Sequence, residues 1–179
     1  NPGNTFHGRL PIKLAPAGRD QAKRVGTWFR DKKIRVIYSS EVERCRQTSK
    51  IVADVIGVQV VFDKRLLEIL TAIQGMELSK YKKDHNIRFS LTEKLGGETT
   101  RDVQIRMLDF FYEKVKDESG NCIICSHGDG LYFLYLALMG KEIPADVYAY
   151  DREEYPKWGS VRRIDIDGQK ISVGKMQIP

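Results

Sequence analysis

Residues 123–130, Ile123-Ile124-Cys125-Ser126-His127-Gly128-Asp129-Gly130, carry the change of pattern that decides the fold of this chain. A short apolar run passes directly into Ser-His-Gly, and Gly130 to Met139 are then apolar on every side. The run reads as a buried strand and the following stretch as a helix packed on several faces. His127 therefore falls at the carboxyl end of a strand, where open α/β sheets collect their ligands. It also adjoins a helix N-terminus, whose unbonded N–H groups favour an anion. Gly128 and Gly130 carry no Cβ and let a ligand come close to the backbone.

Outward from this junction, helix and strand patterns alternate. Residues 16–31 set Ala22, Val25, Gly26 and Phe29 on one helical stripe, with Pro16 tolerable in the first turn. Ile34 to Tyr38 is a buried-strand run. Ser40 with Glu43 three positions later predicts a capping box opening a second helix. Val42, Cys45, Ser49, Val52, Ala53 and Ile56 form its inner stripe, and Gly57 ends it. Val58 to Phe62 is the next strand, and a short helix is expected around Gly75 to Lys83. Thr99 to Lys116 carries the stripe Val103, Met107, Leu108, Phe111 and Val115. Ser160–Ile166 and Lys170–Lys175, joined by Asp167-Gly168, read as a closing hairpin. Strands separated by helices predict an α/β protein with a mostly parallel sheet covered on both faces. With no repeat or low-complexity linker, residues 1–179 read as a single domain.

Composition narrows the function classes. At 41% apolar and 30% charged residues the chain has the make-up of a soluble globular domain. Leu131 to Met139, its longest apolar run, is too short to span a bilayer, so no membrane partner is expected. The net charge of +6 fits nucleic acid, a membrane surface or a small anion as partner. The cations are spread along the chain, with no basic tract interleaved with stacking aromatics, which argues against nucleic acid. Three cysteines argue against a disulfide framework and for a reducing compartment, the cytoplasm. Cys122 and Cys125 form C-x-x-C, but three residues apart on a strand they face opposite ways and cannot share a metal or a bond. The histidines His7, His85 and His127 stand far apart without a carboxylate cluster, so no metal or cofactor is implied.

A second strand-to-helix junction, Ile37-Tyr38-Ser39-Ser40-Glu41-Val42-Glu43-Arg44-Cys45-Arg46-Gln47-Thr48, puts Arg44 and Arg46 near the same sheet rim as His127. An arginine fork clamps phosphate oxygens through paired donors and stays charged. Here the sequence becomes similar to a known family. Ser39-Ser40 followed by Arg44, Gln47 and Thr48 resembles the S-S-x-x-x-R-x-x-Q-T signature of the histidine phosphatase superfamily, the phosphoglycerate-mutase-like family. Ser126-His127-Gly128 resembles its second-histidine motif. Gly8-Arg9, Leu14, Gly18 and Gln21-Ala22 resemble its G-R, L-T, G and Q-A elements, with Ala15 in place of the usual threonine. Leu67-Glu68 resembles its acid-bearing segment, and Gly96-Gly97-Glu98-Thr99 its G-G-E-[ST]. The matches occur in family order from residue 8 to about residue 140.

The resemblance implies a three-layer α/β/α sandwich around a mostly parallel mixed sheet. It also implies phosphoryl transfer through a phosphohistidine to water or a second acceptor. On matching positions Arg44 would hold the phosphate, with Arg9, Gly128 and Asn1 beside it. His127 would donate to the developing charge. Glu68 would act as acid and then base, which requires a partly buried carboxyl with a raised pKa. The family's R-H-G-E, which bears the nucleophile, is missing from these residues. His7 lies in Phe6-His7-Gly8-Arg9, but Asn-Pro-Gly-Asn-Thr-Phe ahead of it reads as a turn, and His85 reads as exposed. Asn1 fits the asparagine that trails R-H-G in the family. The expectation is a natural polypeptide longer by one strand and the motif, on the order of ten to fifteen residues. A phosphatase for a small phosphomonoester comes first, because only residues 69–95 separate Glu68 from Gly96, whereas mutases carry a longer insertion there. A mutase, a catalytically dead phosphate binder and a nucleic-acid-binding domain are the alternatives.

Overall fold

In the computed structural model, which describes residues 4–77, 79, 96–116, 118–144 and 149–179, a central strand β1 (Ile34–Ser39) is flanked by two parallel neighbours. On one side lies β2 (Gln59–Phe62) and on the other β3 (Asn121–Cys125). The register sets Ser39 opposite both Phe62 and Cys125, so the three carboxyl ends are level. The segments that leave them, starting at Ser40, Asp63 and Ser126, therefore emerge at one rim.

The helices follow from their stripes. α1 (Pro16–Phe29) buries Ala22, Val25, Gly26 and Phe29, and α2 (Glu43–Ile56) buries Cys45, Ser49, Val52 and Ala53. A Cβ on Gly26 would come within 2.9 Å of Val55, so glycine there sets how closely the two helices approach. α3 (Thr100–Lys114) turns Val103, Met107, Phe110 and Phe111 inward, and α4 (Gly128–Leu138) is buried along most of its length. β4 (Val161–Asp167) and β5 (Lys170–Gln177) pair antiparallel around Gly168-Gln169, one residue later than expected, and form their own two-stranded sheet.

Two cores lie against opposite faces of the parallel sheet. Ile37, Val52, Ala53, Val25 and Phe29 pack with Ile123 and Cys125 on one side. Met107, Phe110, Phe111, Phe133 and Leu134 pack with Tyr38, Cys122 and Ile124 on the other, closed by Ile164, Ile166, Ile171 and Val173 of the hairpin. Each such fully buried side chain contributes roughly 1.5–3 kcal/mol through removal from water. Cys122 and Cys125 fall into different cores, as their spacing on a strand requires.

One local expectation is corrected. Ser40 does not cap α2: the cap position is Val42, with no side-chain hydrogen bond, and Ser40 is drawn off to His127. The capping box instead opens α3, where Thr99 and Asp102 each accept the other's backbone N–H. Residues 72–75 form a turn, Glu77 bridges to Thr5, and most of the helix expected over 75–83 lies outside the described residues, as do His85 and Asn1.

Candidate active site at the sheet rim

Arg44, on the first turn of α2, reaches across the rim to His127. Its Nη2 is 2.8 Å from His127 Nδ1 and 3.3 Å from Glu68 Oε2. A guanidinium can only donate, so Nδ1 is an acceptor and we assign the ring proton to Nε2. That proton points at Ser40 Oγ, 2.8 Å away, which also accepts the Val42 N–H. The imidazole is thus locked from both ends by the two strand-end segments of the sequence. Cys45 Sγ lies 3.6–3.7 Å from both ring nitrogens and packs the ring from the α2 side.

His127 is 5% exposed. Burial first, then the fields of Arg44, Arg106 and Arg9, push its pKa down to about 2, so the ring is neutral in this arrangement. Glu68 lies on the irregular stretch after the 3₁₀ turn Lys64–Leu66 and is partly buried, its Oε1 accepting the Ile69 N–H at 3.0 Å. Its Oε2 is 3.7 Å from His127 Nδ1. Arg44 Nη1 is a buried donor that has no hydrogen-bond partner among the described residues. A buried unsatisfied donor of this kind costs about 1–3 kcal/mol and marks a place for an acceptor.

Arg9 joins the group indirectly. Its Nε donates to the Glu68 backbone carbonyl at 2.7 Å and its Nη2 to Glu98 Oε2 at 2.7 Å. Glu98 also receives Arg106 Nε at 2.7 Å and the Leu70 N–H at 2.8 Å. Burial pulls the Glu98 carboxyl upward, but Arg106, the Leu70 N–H and Arg9 outweigh it and hold it below the usual carboxylate range. Three guanidinium groups thus face two carboxylates, leaving a positive surplus beside a neutral imidazole. Gly128, first residue of α4, is demanded by a neighbour as well: a Cβ there would strike the Tyr155 hydroxyl, which donates to Asp129 Oδ1 at 2.9 Å.

The structure therefore brings together Arg44, Glu68 and His127, with Arg9 tied to the main chain of Glu68. Arg46 goes elsewhere, lying 4.3 Å over the Phe62 ring. His7 has its Nε2 buried without a partner and makes no hydrogen bond to Arg44, Glu68 or His127 among the described residues. Arg106 was missed by sequence reading, its only signal being an arginine three residues after Val103 on the edge of a buried stripe. Among the described residues no group of three or more His, Cys, Asp or Glu side chains could hold a metal ion. Nor is any helix there long and apolar enough to cross a membrane.

A family model describing the histidine phosphatase superfamily (branch 1) matches residues 1–178. The chain belongs to the histidine phosphatase superfamily. Within it, a putative phosphoserine phosphatase 2 of Hydrogenobacter thermophilus is 28% identical over 148 residues, covering 78% of this chain and 73% of that protein. A probable phosphoglycerate mutase, GpmB of Erwinia tasmaniensis, is 27% identical over 176 residues, covering 92% and 79%. Bacillus stearothermophilus YhfR superposes with a TM-score of 0.81 over 96% of this chain and 88% of that one, at 24% identity. The α/β architecture with its parallel sheet is that of histidine phosphatase folds, in agreement with the sequence reading.

Proposed function

We propose that this superfamily member is a phosphomonoester phosphatase acting on a small phosphorylated metabolite through a phosphohistidine intermediate. The observation that carries the reading is the convergence of Arg44, Glu68 and His127 at one rim, with Arg44 Nη1 buried and unpartnered. In this reading Arg44 takes two phosphoryl oxygens through Nη1 and Nη2, giving up its contact with His127 Nδ1. The phosphoryl charge, arriving beside the imidazole, raises the His127 pKa, and the ring becomes a two-ended donor. Nδ1–H then stabilises the charge that grows on the transferring group. Arg9 and Arg106 supply field without direct contact. Glu68 protonates the leaving oxygen and later takes the proton from the attacking water, so that phosphate and alcohol are the products. The relatives' names include both a phosphatase and a mutase, and the short segment between Glu68 and Gly96 favours hydrolysis.

A second reading is a relative that holds phosphate without turning it over, since the Arg44 fork and His127 can bind an anion by themselves. Hydrolysis of p-nitrophenyl phosphate separates the two, paired with acid-quenched labelling that looks for phosphohistidine. The phosphatase reading expects turnover, a labelled histidine other than His127, and a loss in kcat of about 10²–10⁴ in E68Q. Vanadate or phosphate binding with no turnover in wild type would establish the phosphate binder instead.

A further inference from the structure

The site has a second chemistry built against it that phosphoryl transfer does not use. Cys45 and Cys125 come from different elements, the first turn of α2 and the last residue of β3, yet each thiol lies against the other's segment. Cys45 Sγ donates to the Ser126 carbonyl at 3.4 Å, and Cys125 Sγ to the Cys45 carbonyl at 3.8 Å. Cys45 directly follows Arg44, and its sulfur lies 3.6 Å from His127 Nε2. Cys125 stands two residues before His127. The pair therefore joins the two strand-end segments that carry the clamp and the imidazole. Cys122, on the opposite face of β3, is excluded from it.

We propose that Cys45 and Cys125 form an oxidisable dithiol that closes to a disulfide with a peroxide, displacing His127 from Arg44. The reaction balances with peroxide as the only oxidant. The Cys125 thiolate attacks one peroxide oxygen, the O–O bond breaks, and the departing hydroxide takes up a proton as water, leaving a sulfenic acid. Cys45 sulfur then attacks Cys125 sulfur, the S–O bond breaks, the S–S bond forms, and a second water leaves with the Cys45 proton. Cys125 is the better first nucleophile because it is half-buried where Cys45 is 5% exposed. A disulfide holds its sulfurs about 2.05 Å apart, well inside the van der Waals contact of two thiols, so closure draws them together by more than about 1 Å. A shift of that size beside a phosphoryl clamp can cost about 100-fold.

The proposal does not depend on the phosphatase reading, and its test needs no turnover. Native protein is treated with hydrogen peroxide and mapped by non-reducing peptide mass spectrometry. The expected product is a Cys45–Cys125 cross-link, with Cys122 still alkylatable and reduction restoring all three thiols. C122S should behave like wild type, whereas C125S should give no cross-link. In parallel, the imidazole ¹⁵N resonances of the three histidines, assigned through H127Q, should show the His127 pair moving on oxidation and returning on reduction. A cross-link formed only after unfolding, a cross-link through Cys122, or oxidation that leaves the His127 resonances in place would each overturn the proposal.

Discussion

Arg44 is where residue type matters most, because both its outer nitrogens have separate tasks. Nη2 spans His127 and Glu68, while Nη1 is the buried donor left for an acceptor. A lysine keeps the charge but offers one nitrogen without the planar fork. R44K should therefore lose about 10²–10³ in kcat/KM on an aryl phosphate, close to R44A, as for removal of one fixed donor to a transition-state charge. Near-wild-type turnover in R44K would show that charge alone suffices. His127 makes a prediction about acid. The folded imidazole titrates at about 2 and the unfolded one near 6.5, so between those values the unfolded chain binds the extra proton. Stability contributed by the neutral ring is present above pH 6.5 and falls as pH drops below it, at up to about 1.4 kcal/mol per pH unit. Urea midpoints from pH 7 to 4 should fall more steeply for wild type than for H127Q. Equal slopes would mean that the ring is not held neutral.

At the scale of elements, the starts of α2 and α3 illustrate a local pattern losing to a tertiary demand in one case and holding in the other. Ser40 and Glu43 have capping-box spacing, yet Ser40 Oγ serves His127 and α2 begins at Val42 without a side-chain cap. Thr99 and Asp102 meet no competing partner and close the reciprocal box. T99A should cost about 1 kcal/mol, read as a lower thermal midpoint. Because the segment ending at Thr99 carries Glu98, and Glu98 holds Arg9 and Arg106, fraying there should also weaken phosphate binding. A T99A protein that is less stable but binds phosphate as well as wild type would uncouple the cap from the site. β3 and α4 behaved as read from the sequence, because an apolar strand followed by an apolar helix leaves the chain few ways to hide both.

For the whole molecule, site and stability are linked through mass action. An anion that binds only the folded state adds about 2.7 kcal/mol at one hundred times its Kd. Saturating sulfate, a non-titrating mimic of the phosphoryl dianion, should raise the thermal midpoint of wild type well above that of R44A at equal ionic strength. The same rise in R44A would assign the effect to general salting rather than to the rim. Sulfate binding at pH 7 should also take up protons as His127 charges, visible as a buffer-dependent binding enthalpy that disappears in H127Q.

What the order of residues determined by itself was periodic or adjacent. The strand runs, the stripes of α1, α2 and α3, the apolar α4, the opposed faces of Cys122 and Cys125, and the junctions bearing Arg44 and His127 are all of that kind. Local backbone geometry converts such patterns into elements without reference to the rest of the chain. Only the tertiary structure decided which partners those junctions acquired. Ser40 turned to His127, Arg46 to Phe62, Arg9 and Arg106 to Glu98, and Cys125 to Cys45, each across dozens of residues except Arg46 and Arg106. Side-chain bonding at a buried rim is settled by which donors and acceptors must be satisfied once the strands are level, and sequence spacing carries no record of that competition.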